Sequence, residues 1–357
     1  MIHLKRTMKN AMNWINNFIR IFLITLILFL TLDFTITNFS GYRGFSKFFI
    51  SDIIEGRMNK PHFSGLFGSP LTEFRGSINI GKNGERISST YDCKNVSSKI
   101  LFLGDSITAG FEVDDSETFV SLFNKKCKVK DKLGINLGVR AHDTHAVIGT
   151  YLRVKNYFPH SKVVYLMTKT DFESNINPKA YQMLTKKFGR RFNDTIIKPD
   201  GSKWFQLYAG FRVFVGDNFS LTTFALTRIK GLKFFFVSNN IKNLNEKSEF
   251  NNKIDIAYKL VSELNDLVTA NGSKLYIVPQ PELYLEKNMK NDFVEELNKK
   301  LQTNLPNVFY MANVNQKVIE LVAKERKEIQ DMRFKSDVHF SKYGHSVFAQ
   351  LLDSIID

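Results

Sequence analysis

Short apolar runs alternate along the chain with longer stretches whose apolar residues recur at helical spacing. Five runs read as buried strands: Lys99–Leu103, Gly134–Leu137, Lys162–Met167, Lys274–Val278 and Asn307–Met311. Amphipathic stretches at Thr118–Lys126, Ala146–Tyr157, Lys253–Ala270 and Asp292–Leu301 separate them, and a helix over Gly344–Ile356 closes the chain. Continuous apolar strands alternating with helices predict parallel βαβ units with right-handed crossovers. The expected fold class is therefore α/β: a flavodoxin-like three-layer α/β/α sandwich with about five parallel strands. In such sheets the functional site lies beyond the carboxyl ends of the strands.

The first residues follow a different pattern. Met1–Arg20 carries Lys5, Arg6, Lys9 and Arg20 and no acidic residue, and Ile21–Leu32 is apolar apart from Thr25 and Thr31. Extended over Ile15–Ile36, the stretch is long enough to cross a bilayer, with Arg20 snorkelling to one interface and Asp33 at the other. It is apolar on all faces, unlike a soluble amphipathic helix, and no small-X-small cleavage site follows Leu32. The expectation is an uncleaved transmembrane helix. More basic residues precede it than closely follow it (Arg43, Lys47), which predicts a single-pass protein with a cytoplasmic N-terminus and an extracytoplasmic, periplasmic remainder.

The chain thus divides into residues 1–37 (tail and anchor), 38–98 (linker and loops, with a hairpin near Gly76–Arg86) and 99–357 (the α/β domain). An insertion at about 175–252 interrupts the domain. It holds Lys186, Lys187, Arg190, Arg191, Trp204 and Phe234–Phe236, and is long enough to have structure of its own. A packing excursion, an active-site cap and a membrane-facing lobe are the three readings.

Composition changes this picture little. The net charge of +15 over 357 residues is scattered, with no dense basic run interleaved with aromatics and no zinc-finger spacing, so a nucleic-acid partner is not expected. Two cysteines, Cys93 and Cys127, make either one disulfide or two thiols.

The chemistry sits at strand ends. Ile100–Gly110 reads ILFLGDSITAG: a buried strand stops at Gly104-Asp105-Ser106 and presents a hydroxyl at the sheet edge. Far downstream, Ser336–His345 carries Asp337-Val338-His339, in which a loop carboxylate can orient an imidazole whose other nitrogen accepts the serine proton. His142 and His145, flanking Asp143, read as a polar loop opening a helix, with a pocket lining or a metal site as the alternatives.

Together these blocks resemble the SGNH (GDSL-type) hydrolase superfamily, from about Asn79 to the C-terminus apart from the insertion. Glu112–Phe119 also resembles the run that follows the first block in membrane-associated bacterial members. The resemblance implies Ser106 as nucleophile, His339 as base and Asp337 as its orienter, with oxyanion donors from Ser106 and Gly138, the latter in Asn136-Leu137-Gly138. Where the family has Gly-X-Asn-Asp, this chain has Thr168-Lys169-Thr170-Asp171, so Thr170 falls at the position of the third donor. Arg140 and Asn175 are candidate substrate-binding residues. No cofactor or metal is implied. The implied partners are an acylated glycan or lipid and, through the first helix, a membrane. The implied activity is hydrolysis of an acyl ester, O-acetyl above all. Transfer of the acyl group to a sugar by the same site, and a silent glycan-binding protein that keeps the fold, are the other readings.

Overall fold

A computed structural model of the chain describes residues 2–39, 45–52, 56–68, 75–88, 93, 96–168, 171, 175, 218–219, 222, 246–281, 292–335 and 337–356. The first helix, α1, spans Ile2–Phe39. Within Met12–Thr37 an 18-residue stretch has a mean hydropathy of 2.2, and the 26 residues reach about 39 Å at 1.5 Å per residue. It is long and apolar enough to cross a membrane, a test that a signal sequence also passes. Near its end Asp33 is buried and accepts hydrogen bonds from the Thr222 N–H (2.8 Å) and hydroxyl (2.7 Å), so the helix touches the insertion there.

Two antiparallel hairpins follow. Strands β1 (Phe49–Asp52) and β2 (Gly56–Asn59) form one, β3 (Ser64–Gly68) and β4 (Arg75–Asn79) the other. The hairpin expected near Gly76–Arg86 is displaced. β4 begins there but pairs upstream, and Arg86 meets Ile80 in a single bridge. Phe48, Phe67, Ile78, Ile80, Ala109 and Phe111 bury the hairpins against the segment that follows Ser106.

The domain is built on five parallel strands: β5 (Ser98–Gly104), β6 (Lys132–Asn136), β7 (Lys162–Met167), β8 (Lys274–Pro279) and β9 (Phe309–Tyr310). Their order is β6-β5-β7-β8-β9, the doubly wound arrangement expected from the pattern. Strand side chains alternate between two cores. Leu101, Leu103, Tyr165, Leu275 and Ile277 pack under α5 (Thr144–Val154), α6 (Glu246–Ala270) and α7 (Asp292–Asn304). Ile100, Phe102, Val164, Leu166 and Val278 pack under α3 (Phe119–Asn124), α8 (Val314–Lys324) and α9 (Lys342–Ile356). Helix α6 begins at Glu246, which takes residues 246–252 out of the insertion. Helix α8, with Val314, Val318 and Val322 turned inward, was not anticipated. Cys93 and Cys127 are joined as a disulfide, with Cα atoms 5.9 Å apart.

Arg86 ties these parts together. Its fully buried guanidinium pairs with Asp115 (2.7 Å) and donates to the carbonyls of Ala109 (2.8 Å), Val113 (2.7 Å), Ser77 (3.1 Å) and Gly110. Its own N–H donates to Asn136 O at the edge of the sheet (2.8 Å). Replacing it with an apolar side chain removes the buried cation facing Asp115, which then keeps only its hydrogen bonds from Asn79, and takes a donor from each of those carbonyls. We expect Arg86→Met to lose about 3–5 kcal/mol of stability, read as a lower urea midpoint at unchanged slope.

Candidate active site

Strand β5 ends at Gly104, whose φ of +152° suits glycine alone; a Cβ there would collide with the Thr108 side chain. Asp105 then caps α2 (Ser106–Ala109), its Oδ1 accepting from Ile107 N at 2.9 Å. Ser106 is thereby the first helical residue, just beyond the carboxyl end of β5. Across the site, the loop before α9 is held by a bridge between Arg333 and Phe340 and by Ser341 N donating to Met332 O (2.8 Å).

The loop brings His339 onto the serine, with Nε2 2.8 Å from Ser106 Oγ. On the other side of the ring Nδ1 hydrogen-bonds Asp337 Oδ1, and the same carboxylate oxygen accepts from the His339 N–H at 3.0 Å. Burial opposes the Asp337 charge, but the hydrogen bonds and charge of His339 outweigh it and hold the carboxyl below its usual range. An ionised carboxylate can only accept, so Nδ1 carries the proton and Nε2 offers its lone pair to Oγ. The structure thus brings Ser106, His339 and Asp337 together.

The other expected residues fare differently. Gly138 packs so closely on α2 that a Cβ would collide with the Ala109 backbone nitrogen. Its N–H donates to Asn136 Oδ1 (3.0 Å), and Asn136 Nδ2 in turn holds Thr108 O (2.9 Å), so the expected oxyanion amide is already engaged. Thr170 lies outside the described residues. Asn175 is buried, and its Oδ1 accepts from Thr144 N (3.1 Å) at the start of α5. Arg140 is ion-paired with Glu112 at 3.1 Å and lies over the Phe67 ring. His142 is buried between Arg57 O (2.7 Å) and the Thr150 hydroxyl (3.3 Å), and burial lowers it to about 4, the behaviour of a neutral structural ring.

Sequence reasoning missed Glu112. Its carboxylate is 1% exposed and its Oε1 stands 3.5 Å from His339 Nδ1. The His339 pKa is raised: burial alone would lower it, but Glu112 and then the hydrogen bond to Asp337 prevail over burial and Arg140. His345, on α9, is buried and lowered to about 3, first by burial and then by Arg86 and His339. It accepts from Phe119 N at 3.2 Å.

Behind the serine lies a second carboxylate group. Thr168 N and the Tyr165 hydroxyl donate to Asp171 Oδ2 (2.9 and 3.1 Å), and the Thr168 hydroxyl donates to Asp105 Oδ2 (3.4 Å). Burial pushes Asp105 up to about 6 and drives Asp171 well above the carboxylate range.

No family model matches the chain, and no curated protein matches it in sequence. Solved structures do. A lipolytic protein of the G-D-S-L family from Veillonella parvula is 12% identical, covers 72% of this chain and 98% of its own, and has a TM-score of 0.40. The esterase EstA from Pseudoalteromonas sp. is 10% identical over 73% of this chain and 97% of its own, with a TM-score of 0.40. The acetyl xylan esterase AlAXEase is 13% identical over 72% and 100%, with a TM-score of 0.38.

Asp105 supplies a stability test. A carboxyl raised on folding contributes stability that is fully present below its unfolded pKa, near 3.8, and lost as pH climbs through about 6. Asn keeps the cap without the charge. Between pH 4 and 7 the wild type should lose roughly 1–3 kcal/mol relative to Asp105→Asn, measured by urea unfolding across that range.

Proposed function

We propose that the chain is a serine esterase of the SGNH (GDSL) type, hydrolysing an acyl ester through Ser106, His339 and Asp337. The observation that carries this is the unbroken line from Ser106 Oγ through both nitrogens of His339 to Asp337 Oδ1. His339 Nε2 takes the Ser106 proton as Oγ attacks the acyl carbon. A tetrahedral oxyanion forms, with the Ser106 N–H at the start of α2 as donor, joined by Gly138 when its bond to Asn136 gives way and by Thr170. The imidazolium, held by Asp337, then protonates the departing alcohol. Water repeats the sequence and releases the acid.

The substrate class is an O-acylated polysaccharide or lipid outside the cytoplasm, O-acetyl foremost. The membrane-length helix supports this location, with its basic residues ahead of the apolar stretch and a cytoplasmic N-terminus. So does the Cys93–Cys127 disulfide, which belongs in an oxidising compartment. The bond from Gly138 N–H to Asn136 favours a second reading, in which the fold is kept for glycan binding without catalysis.

The decisive assay is hydrolysis of p-nitrophenyl acetate by the full chain in detergent. Ser106→Ala should reduce the rate by at least about 10³, and a wild type as inert as the variant would sink the esterase reading in favour of the silent one. Because His339 must be neutral to act and its pKa is raised on folding, the rate should climb with pH through a midpoint above the ordinary histidine value of about 6.5. A midpoint below that value would contradict the assignment.

A further inference from the structure

We propose that Glu112 is a positioning residue for His339, a second carboxylate standing on the ring nitrogen that Asp337 holds. This rests on the esterase reading and adds a member to its machinery.

The geometry is specific. One oxygen, Glu112 Oε1, lies 3.1 Å from Arg140 Nη1 and 3.5 Å from His339 Nδ1. Of the two carboxylates on that nitrogen, Glu112 is the more deeply placed: its side chain is 1% exposed, against 25% for Asp337. Its field is therefore the less screened by water. A carboxylate kept only for a structural ion pair has no need to abut an imidazole from inside the protein. Burying it there is costly unless it is matched by charge; Arg140 pairs with it from a partly exposed position, and the buried Arg86 lies near enough to act on it electrostatically.

Other groups also face His339. Asp105 lies at the end of β5, Arg140 on the loop after β6, and neutral His345 on α9; Asp337 is on the histidine's own loop. Only Glu112 and Asp337 stand against Nδ1 among the described residues. In the resting site Arg140 balances Glu112. When His339 takes the serine proton, both carboxylates face the new cation, and a small side-chain movement brings Glu112 within hydrogen-bond reach of Nδ1 if Asp337 is absent. Glu112 thus acts on the reaction through His339.

The test is a histidine titration by NMR on the full chain in detergent, with ¹³C-labelled imidazoles and the His339 signal assigned by its loss in His339→Gln. Glu112→Gln should lower the His339 midpoint by about one pH unit or more, and an unmoved midpoint overturns the proposal. Asp337→Asn provides the second arm should the first variant not fold. With Glu112 still in place, His339 should titrate at or above about 6.5; a fall well below, as burial alone dictates, overturns the proposal. Fluorophosphonate labelling of Ser106 gives the kinetic arm. Asp337→Asn should slow labelling by roughly 10–10², whereas Asp337→Asn with Glu112→Gln should slow it by about 10⁴, the loss expected when no carboxylate orients the ring. Equal losses in the single and double variants count against Glu112. If the NMR shifts appear while wild-type Ser106 takes no label, the Glu112–His339 coupling stands and the esterase reading falls.

Discussion

A fully buried cation is the constraint on which the site's construction depends. Arg86 is fully enclosed, and burial disfavours its charge, so the structure surrounds it with Asp115 and with carbonyls drawn from separate segments. Those carbonyls are the point of the arrangement. Ala109 and Gly110 close the carboxyl end of α2, a helix of four residues that is too short to hold itself together. A positive charge there satisfies its terminal carbonyls and complements its dipole. Ser106 stands at the other end of the same turn. The hairpins, through Ser77 O, and the sheet edge, through Asn136, are drawn to one residue, so the nucleophile's turn is braced by elements on three sides.

The same brace fixes Glu112. It follows Phe111, which is wedged among Phe48, Phe49 and Phe67, and precedes Val113, whose carbonyl Arg86 holds. The carboxylate cannot drift from His339 without disturbing that packing. Asp105, Asp337 and Glu112 are chemically alike yet differ in what surrounds them. Asp105 is buried and pushed up, while Asp337 is half-exposed, hydrogen-bonded to His339 and held down. Acidic residues within a few residues of the serine or histidine thereby take separate duties, as cap, orienter and internal counter-charge.

What was legible in the sequence follows from range. Strands such as Lys162–Met167 were readable because burial on both faces leaves an uninterrupted apolar run. Ser106 and the Asp337-Val338-His339 loop were readable because each is a short local pattern at an element's end. Arg86 and Glu112 were not. Each is one charge among others nearby, Glu85 beside Arg86 and Asp114 and Asp115 after Glu112, and its partners lie far along the chain: Asp115 for one, Arg140 and His339 for the other. Such a residue is indistinguishable in sequence from a solvated loop charge. Asn175 follows the block that holds Thr170, and its Oδ1 serves the first amide of α5, a partner that no local pattern announces. The hairpins were displaced in the reading because their glycines and serines carry little alternation, and the phenylalanines that bury them pair only in three dimensions. Helix α8 did carry a signal, Val314-Val318-Val322 at i, i+4, which a two-residue preceding strand made easy to pass over.

The oxyanion side and the imidazole side of the site belong to one electrostatic problem. In the proposed reaction the transition state for acyl transfer places a negative charge on the substrate oxygen and a positive one on His339, and stabilising either lowers the barrier. On the oxyanion side this chain is sparsely furnished. Gly138 N–H is spoken for by Asn136, whose amide is pinned in turn to Thr108 O, and threonine stands where an asparagine donor is expected. One such donor is worth on the order of 10²–10³ in rate. On the imidazole side it is unusually well furnished, with two carboxylates on a single nitrogen. A site short of donors for the anion gains by holding the cation more tightly, because the two charges develop together. A second carboxylate beside the histidine is therefore more than a redundant orienter: it acts on the opposite pole of the same transition state, where Asn136 and Thr170 leave the other pole weakly held.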